Sequence, residues 1–264
     1  MMVITKSSRV SLHHLRELEF SGELRHVFRF LHRLDHPKNM DYLALDLEDC
    51  DVTEISQIIG PYLQDYLRHR GRSQNGLGLS VSSLGPIVLA LHINDAGGVE
   101  FPAVGSTEAD AFLAIHIVFN QRPRKDLKEE TTLDLISYVP QEEIICFTAV
   151  SDPVGKKDLS AHFPHIRALY LKRSTLRVAF PKPTFDWDGI VFPSLRHVGL
   201  EEVVVRWEDW SPLIAFLERC SSCGNQLDTL AIVGSYSMRP AVEESIKGMV
   251  RKFWTNDDNR FSPL

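Results

Sequence analysis

FPHIRALYL at 163–171 and FPSLRHVGL at 192–200 are the two stretches on which the reading of this 264-residue chain turns. Each opens with Phe-Pro and then repeats one spacing of apolar residues: Ile166, Leu169 and Leu171 in the first, Leu195, Val198 and Leu200 in the second. The last two of each set are separated by a single residue, the period of two that puts side chains on one face of a β-strand. Proline suits the extended approach to such a strand, and the phenylalanine before it can fill the core of the preceding turn.

Three more copies of the spacing lie along the chain: Leu15-x-x-Leu18-x-Phe20, Met40-x-x-Leu43-x-Leu45 and Leu227-x-x-Leu230-x-Ile232. Helical periodicity follows the first two of these and the copy at Leu195. Ser21 is placed to cap a helix with Leu24, Val27, Phe28, Leu31 and Leu34 on one face. Thr53 starts a second helix with Ile55, Ile58, Ile59, Leu63, Tyr66 and Leu67 inward and a bend at Gly60-Pro61. Ser211-Pro212 supplies a cap and a first-turn proline for a third, which carries Leu213, Ile214, Phe216 and Leu217.

Neighbouring copies start 25, 29 and 32 residues apart, at or a little above the roughly 20–29 residues of an ordinary leucine-rich repeat. A strand and a helix of this size cannot cover each other's apolar faces alone, so each unit must stack on its neighbours. The pattern predicts an α/β, leucine-rich-repeat-like solenoid with irregular repeats, parallel strands on one face and helices on the other. One domain spans 1–264, with clear repeats over 11–70 and 160–235, an irregular centre over 76–150 and a capping helix over 240–254.

In the centre, alternation at Leu77 to Val81, Ile87 to Ile93, Leu113 to Phe119 and Ile144 to Thr148 predicts strands, and Leu127 to Tyr138 a helix. Degenerate repeats are the favoured account, a separate inserted sheet the other. Ser73 to Asn94 lacks Asp, Glu, Lys and Arg and is as long as a membrane helix, but Gln74, Pro86 and His92 and the strand alternation argue against a membrane span.

The chain is 44% hydrophobic, enough for a sizeable core. Its 29 basic and 35 acidic residues leave a net charge of -6, which argues against nucleic acid or anionic lipid as a partner. Lys6 and Arg9 interrupt the start of MMVITKSSRV before any signal-peptide core, and four cysteines are too few for a disulfide framework. A cytoplasmic or nuclear compartment is expected.

Candidate chemistry is sparse. Cys220 and Cys223 have the spacing of a zinc or redox pair, but no second ligand pair accompanies them and they end a helix, where cysteine is an ordinary small apolar residue. His13, His14, His26, His32 and His36 fall on different faces. Asp46, Glu48, Asp49 and Asp51 lack the glycine and terminal glutamate of a calcium loop and read as a solvated strand end. Phosphate-binding loops, dinucleotide fingerprints and nucleophile elbows are absent from the sequence. No catalytic residue, cofactor or metal is expected, so the protein reads as a non-enzyme. What remains is a protein-binding strand face, formed by the residues alternating with the core positions: Glu17, Glu19, Tyr42, Asp46, Tyr170, Lys172, His197 and Glu201.

HFPHIRALYL at 162–171, FPSLRHVGLEEVVV at 192–205 and the helix WSPLIAFLERC at 210–220 resemble the repeat regions of fungal F-box-like leucine-rich-repeat proteins. The resemblance covers most of the chain and implies the substrate-recruiting arm of an F-box-type ubiquitin ligase. The F-box itself, which opens with leucine-proline-x-glutamate, has no room before a first repeat that begins by Leu12. Val139-Pro140-Gln141-Glu142 is similar to that opening but is followed by strand and repeat. The Skp1–cullin machinery is therefore implied as a partner only through a missing segment, consistent with a first repeat that has no cap. The alternatives are a zinc or redox protein using Cys220 and Cys223, and a scaffold without a binding face.

Overall fold

The structure, a computed structural model, describes residues 10–11, 15–35, 40–71, 73, 75–83, 85, 87–96, 111–151, 162–174, 176, 180, 192–203, 210–234 and 238–255. Its strands are β1 (Val10–Ser11), β2 (Glu17–Glu23), β3 (Leu34–Asp35), β4 (Tyr42–Cys50), β5 (Leu77–Ser83), β6 (Val88–Asp95), β7 (Ala111–Phe119), β8 (Ile144–Val150), β9 (Ala168–Lys172), β10 (His197–Glu201), β11 (Thr229–Val233) and β12 (Lys252–Thr255). The helices among the described residues are α1 (Leu24–Leu31), α2 (Val52–Arg70), α3 (Lys125–Ser137), α4 (Ser211–Ser222) and α5 (Pro240–Met249).

Ten strands form one open sheet in the order β12-β11-β10-β9-β8-β5-β6-β7-β4-β2, while β1 and β3 pair separately. The architecture is mixed α/β and mostly parallel: β6 alone in the large sheet runs against its two neighbours. Apolar positions of the copies fall in register. Leu18 and Phe20 lie opposite Leu43 and Leu45, and Leu169 and Leu171 opposite Val198 and Leu200, themselves opposite Leu230 and Ile232. The residue that opens each copy is buried before its strand at Met40, Ile166, Leu195 and Leu227.

Apolar side chains on this face meet the helices. Phe20 stacks on Phe30 of α1 at 4.5 Å, Phe28 meets the edge of Tyr62 of α2 at 5.0 Å, and Phe180 lies 4.7 Å from Phe216 of α4. Phe163 and Phe192, from the two Phe-Pro pairs, are buried as expected, Phe163 stacking on Phe147 at 4.6 Å. Burying each such ring contributes on the order of 1.5–3 kcal/mol.

The irregular centre is built inside the same sheet. After β4 and α2 the chain passes to β5, leaving a gap that β6 and β7 fill by running back and forth, so β7 ends parallel to β4. Helix α3 then carries the chain to β8 on the other side of β5. The uncharged stretch at 73–94 thus supplies a hairpin, and no helix among the described residues is long and apolar enough to cross a membrane. Lys128 of α3 is buried and donates to Ser83 Oγ (2.9 Å), Gly85 O (2.9 Å) and Val88 O (2.7 Å), tying the helix to the β5–β6 turn. Burial pushes its ammonium down to about 8.

Four local expectations are corrected. Ser21 sits within β2 rather than capping α1, which begins after Glu23, because Leu18 and Phe20 extend the ladder opposite β4 through Glu23. Leu34 is buried from β3, beyond the end of α1. Ser211 is the first residue of α4 and Trp210 holds the cap position. The expected capping helix over 240–254 stops at Met249, and Lys252–Thr255 joins β11 as a parallel strand, with Phe253 opposite Leu230. Met249, Val250 and Phe253 fit a helical period, but backbone pairing to β11 satisfies donors and acceptors that a longer helix would have left unpaired with the sheet. The expected beginning of the first repeat at Leu12, together with His13, His14 and His36, lies outside the described residues.

Two backbone features set the geometry. Helix α2 runs through Pro61, and Gly60 beside it lets the Tyr138 ring approach; a Cβ there would stand 2.2 Å from Tyr138 Cε2. Four strands of the sheet end at equivalent residues with left-handed backbone, Ser151 (φ 62°), Arg173 (φ 50°), Glu202 (φ 47°) and Gly234 (φ 99°). The first three donate their N–H to the last residue of the next strand, Lys172, Glu201 and Val233, at 2.8–2.9 Å. A non-glycine residue in this conformation costs about 1–2 kcal/mol.

Two substitutions check these points by denaturant unfolding. Gly60→Ala should destabilise by about 1–3 kcal/mol, the usual cost of overfilling a close contact. Ser151→Gly, which leaves no ion pair behind, should stabilise by up to about 1 kcal/mol.

Candidate partner-binding face

Across the sheet, residues that alternate with the core positions share the opposite face. Strand β2 shows the alternation most plainly, with Glu17, Glu19, Ser21 and Glu23 exposed and Leu18, Phe20 and Gly22 between them less so. Register links Asp46 to His116, His116 to Ala90, Ala90 to Ser82, Ser82 to Val150, Val150 to Lys172 and Lys172 to Glu201. All eight residues expected on the binding face therefore do lie on one side of one sheet. They form two groups, however: Glu17, Glu19, Tyr42 and Asp46 on β2 and β4, and Tyr170, Lys172, His197 and Glu201 on β9 and β10. Five strand steps separate β4 from β9, about 24 Å at the usual inter-strand spacing.

The first group is acidic and open. Glu17, Glu19 and Glu48 are exposed and make no ion pair among the described residues. Asp46 accepts from Nδ1 of His116 at 2.8 Å. His116 in turn places its Nε2 3.0 Å from Nε2 of His92, with the two rings close to perpendicular at 84°. His92 is only 5% exposed, on the antiparallel strand directly opposite Ser80.

The second group is closed on itself. The Tyr170 hydroxyl donates to Glu201, and Lys172 Nζ lies 2.9 Å from the same carboxylate. Burial, and then the charge of Glu202, push the Glu201 carboxyl up, while Lys172 supplies the balancing positive charge. Burial pushes the His197 imidazole down, and Arg196 and Lys252 add to this against the opposing pull of Asp228. His197 Nδ1 lies 3.3 Å from Thr229 Oγ1. Tyr170 is buried at 6% exposure, so of this group it offers the least surface to a partner.

Sequence reasoning missed His92 and His116, which lie between the two groups. The signal was present: Leu91-His92-Ile93 and Ile115-His116-Ile117 each put a histidine on the polar phase of an alternating strand. Only the antiparallel return of β6 against β7 brings the two together.

The cysteine pair has a different environment from a zinc site. Cys220 is buried in α4 and Cys223 is exposed just beyond it. Burial, with Cys223 adding to it, pushes the Cys220 thiol up to about 11. Among the described residues no three or more His, Cys, Asp or Glu converge to hold a metal ion. His26 and His32 are exposed, as are Asp46, Glu48, Asp49 and Asp51 at and beyond the end of β4. A broad polar cleft opens where β4, β5 and β8 begin, lined by Arg16, Asp41, Arg70, Asp95, Phe112 and Glu142 among others. Two ion pairs lie within it: Arg16 with Asp41 at 3.1 Å, and Arg70 with Asp95 at 3.1 Å while stacked over Phe112.

Fold and face together define a mixed α/β, mostly parallel-sheet protein with a polar strand face. The chain gives no match to known family models, to curated proteins or to solved structures.

The lowered pKa of His197 has a consequence for stability. The folded state binds fewer protons than the unfolded state below the imidazole's usual 6.5, so stability falls as pH drops through that value. Urea midpoints measured from pH 7.5 to pH 5 should fall less steeply for His197→Asn than for the parent chain. Equal slopes would show that His197 titrates alike in both states.

Proposed function

We propose that this protein is a non-enzymatic recognition module, a leucine-rich-repeat-like solenoid that holds a protein partner along its strand face. The observation that carries the reading is the set of unneutralised carboxylates of Glu17, Glu19 and Glu48 at one end of that face, well apart from the neutral network around Glu201. Exposed carboxylates without ion pairs favour a partner that presents lysine or arginine there, since complementary charge steers association and sets its register. Tyr42 beside them adds the amphipathic aromatic surface common at interfaces.

The resemblance to fungal F-box-like proteins gives this module a place as the substrate-recruiting arm of a ubiquitin ligase, the Skp1–cullin machinery being reached through a segment that carries an F-box. A structural scaffold without a dedicated face is the competing reading. A zinc or redox role for Cys220 and Cys223 is not favoured by any contact they make, Cys220 being buried and Cys223 exposed.

Affinity purification of the full chain, followed by mass spectrometry, identifies partners for measurement with purified components. Glu17→Lys combined with Glu19→Lys should weaken the direct complex about tenfold or more, and added salt should weaken the parent complex but not the variant. Unchanged affinity would sink the strand-face reading and leave the scaffold. Co-purification of Skp1 and cullin would support ligase membership, and stable partners without them would count against it.

A further inference from the structure

We propose that His92 and His116 form a two-imidazole site for a borderline divalent cation such as zinc, with Asp46 as its positioning residue. The proposal stands on the geometry at the centre of the sheet and is independent of any protein partner.

Both imidazoles come from neighbouring antiparallel strands, His92 opposite Ala114 and His116 opposite Ala90, and so sit diagonally on the polar face. They direct their Nε2 atoms at each other, 3.0 Å apart. Two nitrogens bound to one tetrahedral zinc at bonds of about 2.0–2.1 Å stand about 3.3 Å apart. The nitrogens are therefore already close to the required separation, and admitting the ion calls for the rings to turn so that their lone pairs converge beside the line joining them.

Asp46 gives the second feature of such a site. Its carboxylate lies 2.8 Å from Nδ1 of His116, on the side of the ring away from His92. A carboxylate in that position keeps the proton on Nδ1, leaves the Nε2 lone pair outward and raises the basicity of the ligand. The arrangement is the carboxylate–histidine–metal relation, with the metal position lying to one side of the line joining the two Nε2 atoms.

Proton placement is consistent with this. With Nδ1 of His116 donating to Asp46, its Nε2 accepts, so His92 donates its Nε2–H across the 3.0 Å contact. Binding replaces that single bridging proton with the cation: His92 gives up its proton at Nε2 and takes one up at Nδ1, and both Nε2 lone pairs become ligands. No electron is transferred, and no proton is released overall when both rings start neutral.

Ligand type selects the ion. Two imidazole nitrogens suit zinc, copper or nickel rather than calcium or magnesium, which prefer oxygen cages. Water completes the coordination, with access from the His116 side, whose side chain is 36% exposed. His92, at 5% exposure, is held in place by the sheet before any ion arrives. Two protein ligands make a weaker site than three or four, which fits a reversible ion rather than a structural one.

The experiment is calorimetric titration of zinc into the purified full chain after chelator treatment and dialysis. One site per chain is expected. His116→Gln should abolish it, and Asp46→Asn should weaken it about 10–100-fold. Cys220→Ser with Cys223→Ser should leave it unchanged. Thermal unfolding confirms that each variant folds. Imidazole nitrogen NMR of the unaltered chain provides a second reading that needs no substitution: zinc should shift the Nε2 resonances of His92 and His116 together. Absence of zinc binding by the parent chain, affinity retained in a folded His116→Gln, loss of binding in the cysteine variant, or no movement of those two resonances each overturns the proposal.

Discussion

The constraint on which the structure depends is strand register. Side chains on a strand alternate with a period of two, so a slip of one residue would send every core side chain to the polar face. Leu43, Leu113, Leu169, Val198 and Leu230 are all buried at 1% exposure or less, on strands whose register keeps them on the same side. The same register delivers Asp46, His116, Lys172 and Glu201 to the other side. Core and candidate site are thus two consequences of one alignment. A change that shifted the ladder would lose both.

Turns enforce that alignment at the strand ends. The left-handed residues Ser151, Arg173 and Glu202 cost conformational energy, yet each aims its N–H at the carbonyl closing the next strand. Only Gly234 among the four announces this conformation by its residue type. The exposed pair of Arg173 with Glu202 links two of these turns across strands, although a surface ion pair contributes only on the order of 0–1 kcal/mol. The backbone bonds, not the ion pairs, carry the repetition.

The centre of the sheet shows how a break in a repeating pattern creates chemistry. Had β5 paired directly with β4, the polar face would have run on as parallel strands of one kind. The insertion of β6 and β7 brings an antiparallel pair between them, and only there do two histidines from different strands meet diagonally. Lys128 anchors the turn that begins β6, replacing with one buried ammonium the several acceptors' contacts with water. Such a group is tolerated in the interior because its donors are all engaged.

Local periodicity alone determined a good deal about this protein. Alternation at Leu169-x-Leu171 and Val198-x-Leu200 specified strands and their buried phase, and the Phe-Pro pairs specified what fills the turns before them. The eight face residues were legible for the same reason, since any residue between two core positions of a strand must point away from the core. Sequence could not order the strands: β5, β6 and β7 have clear alternation but nothing local says that β6 runs backwards or that β7 lies beside β4. Nor could it separate helix from strand at Met249 to Phe253, where a short apolar cluster fits both periods until β11 offers backbone partners. The division of the face into an open acidic end and a neutral closed end, and the meeting of His92 with His116, were decided by tertiary structure. Both depend on which strands become neighbours, and pairing between distant segments is set by the burial of the whole sheet rather than by any single stretch of chain.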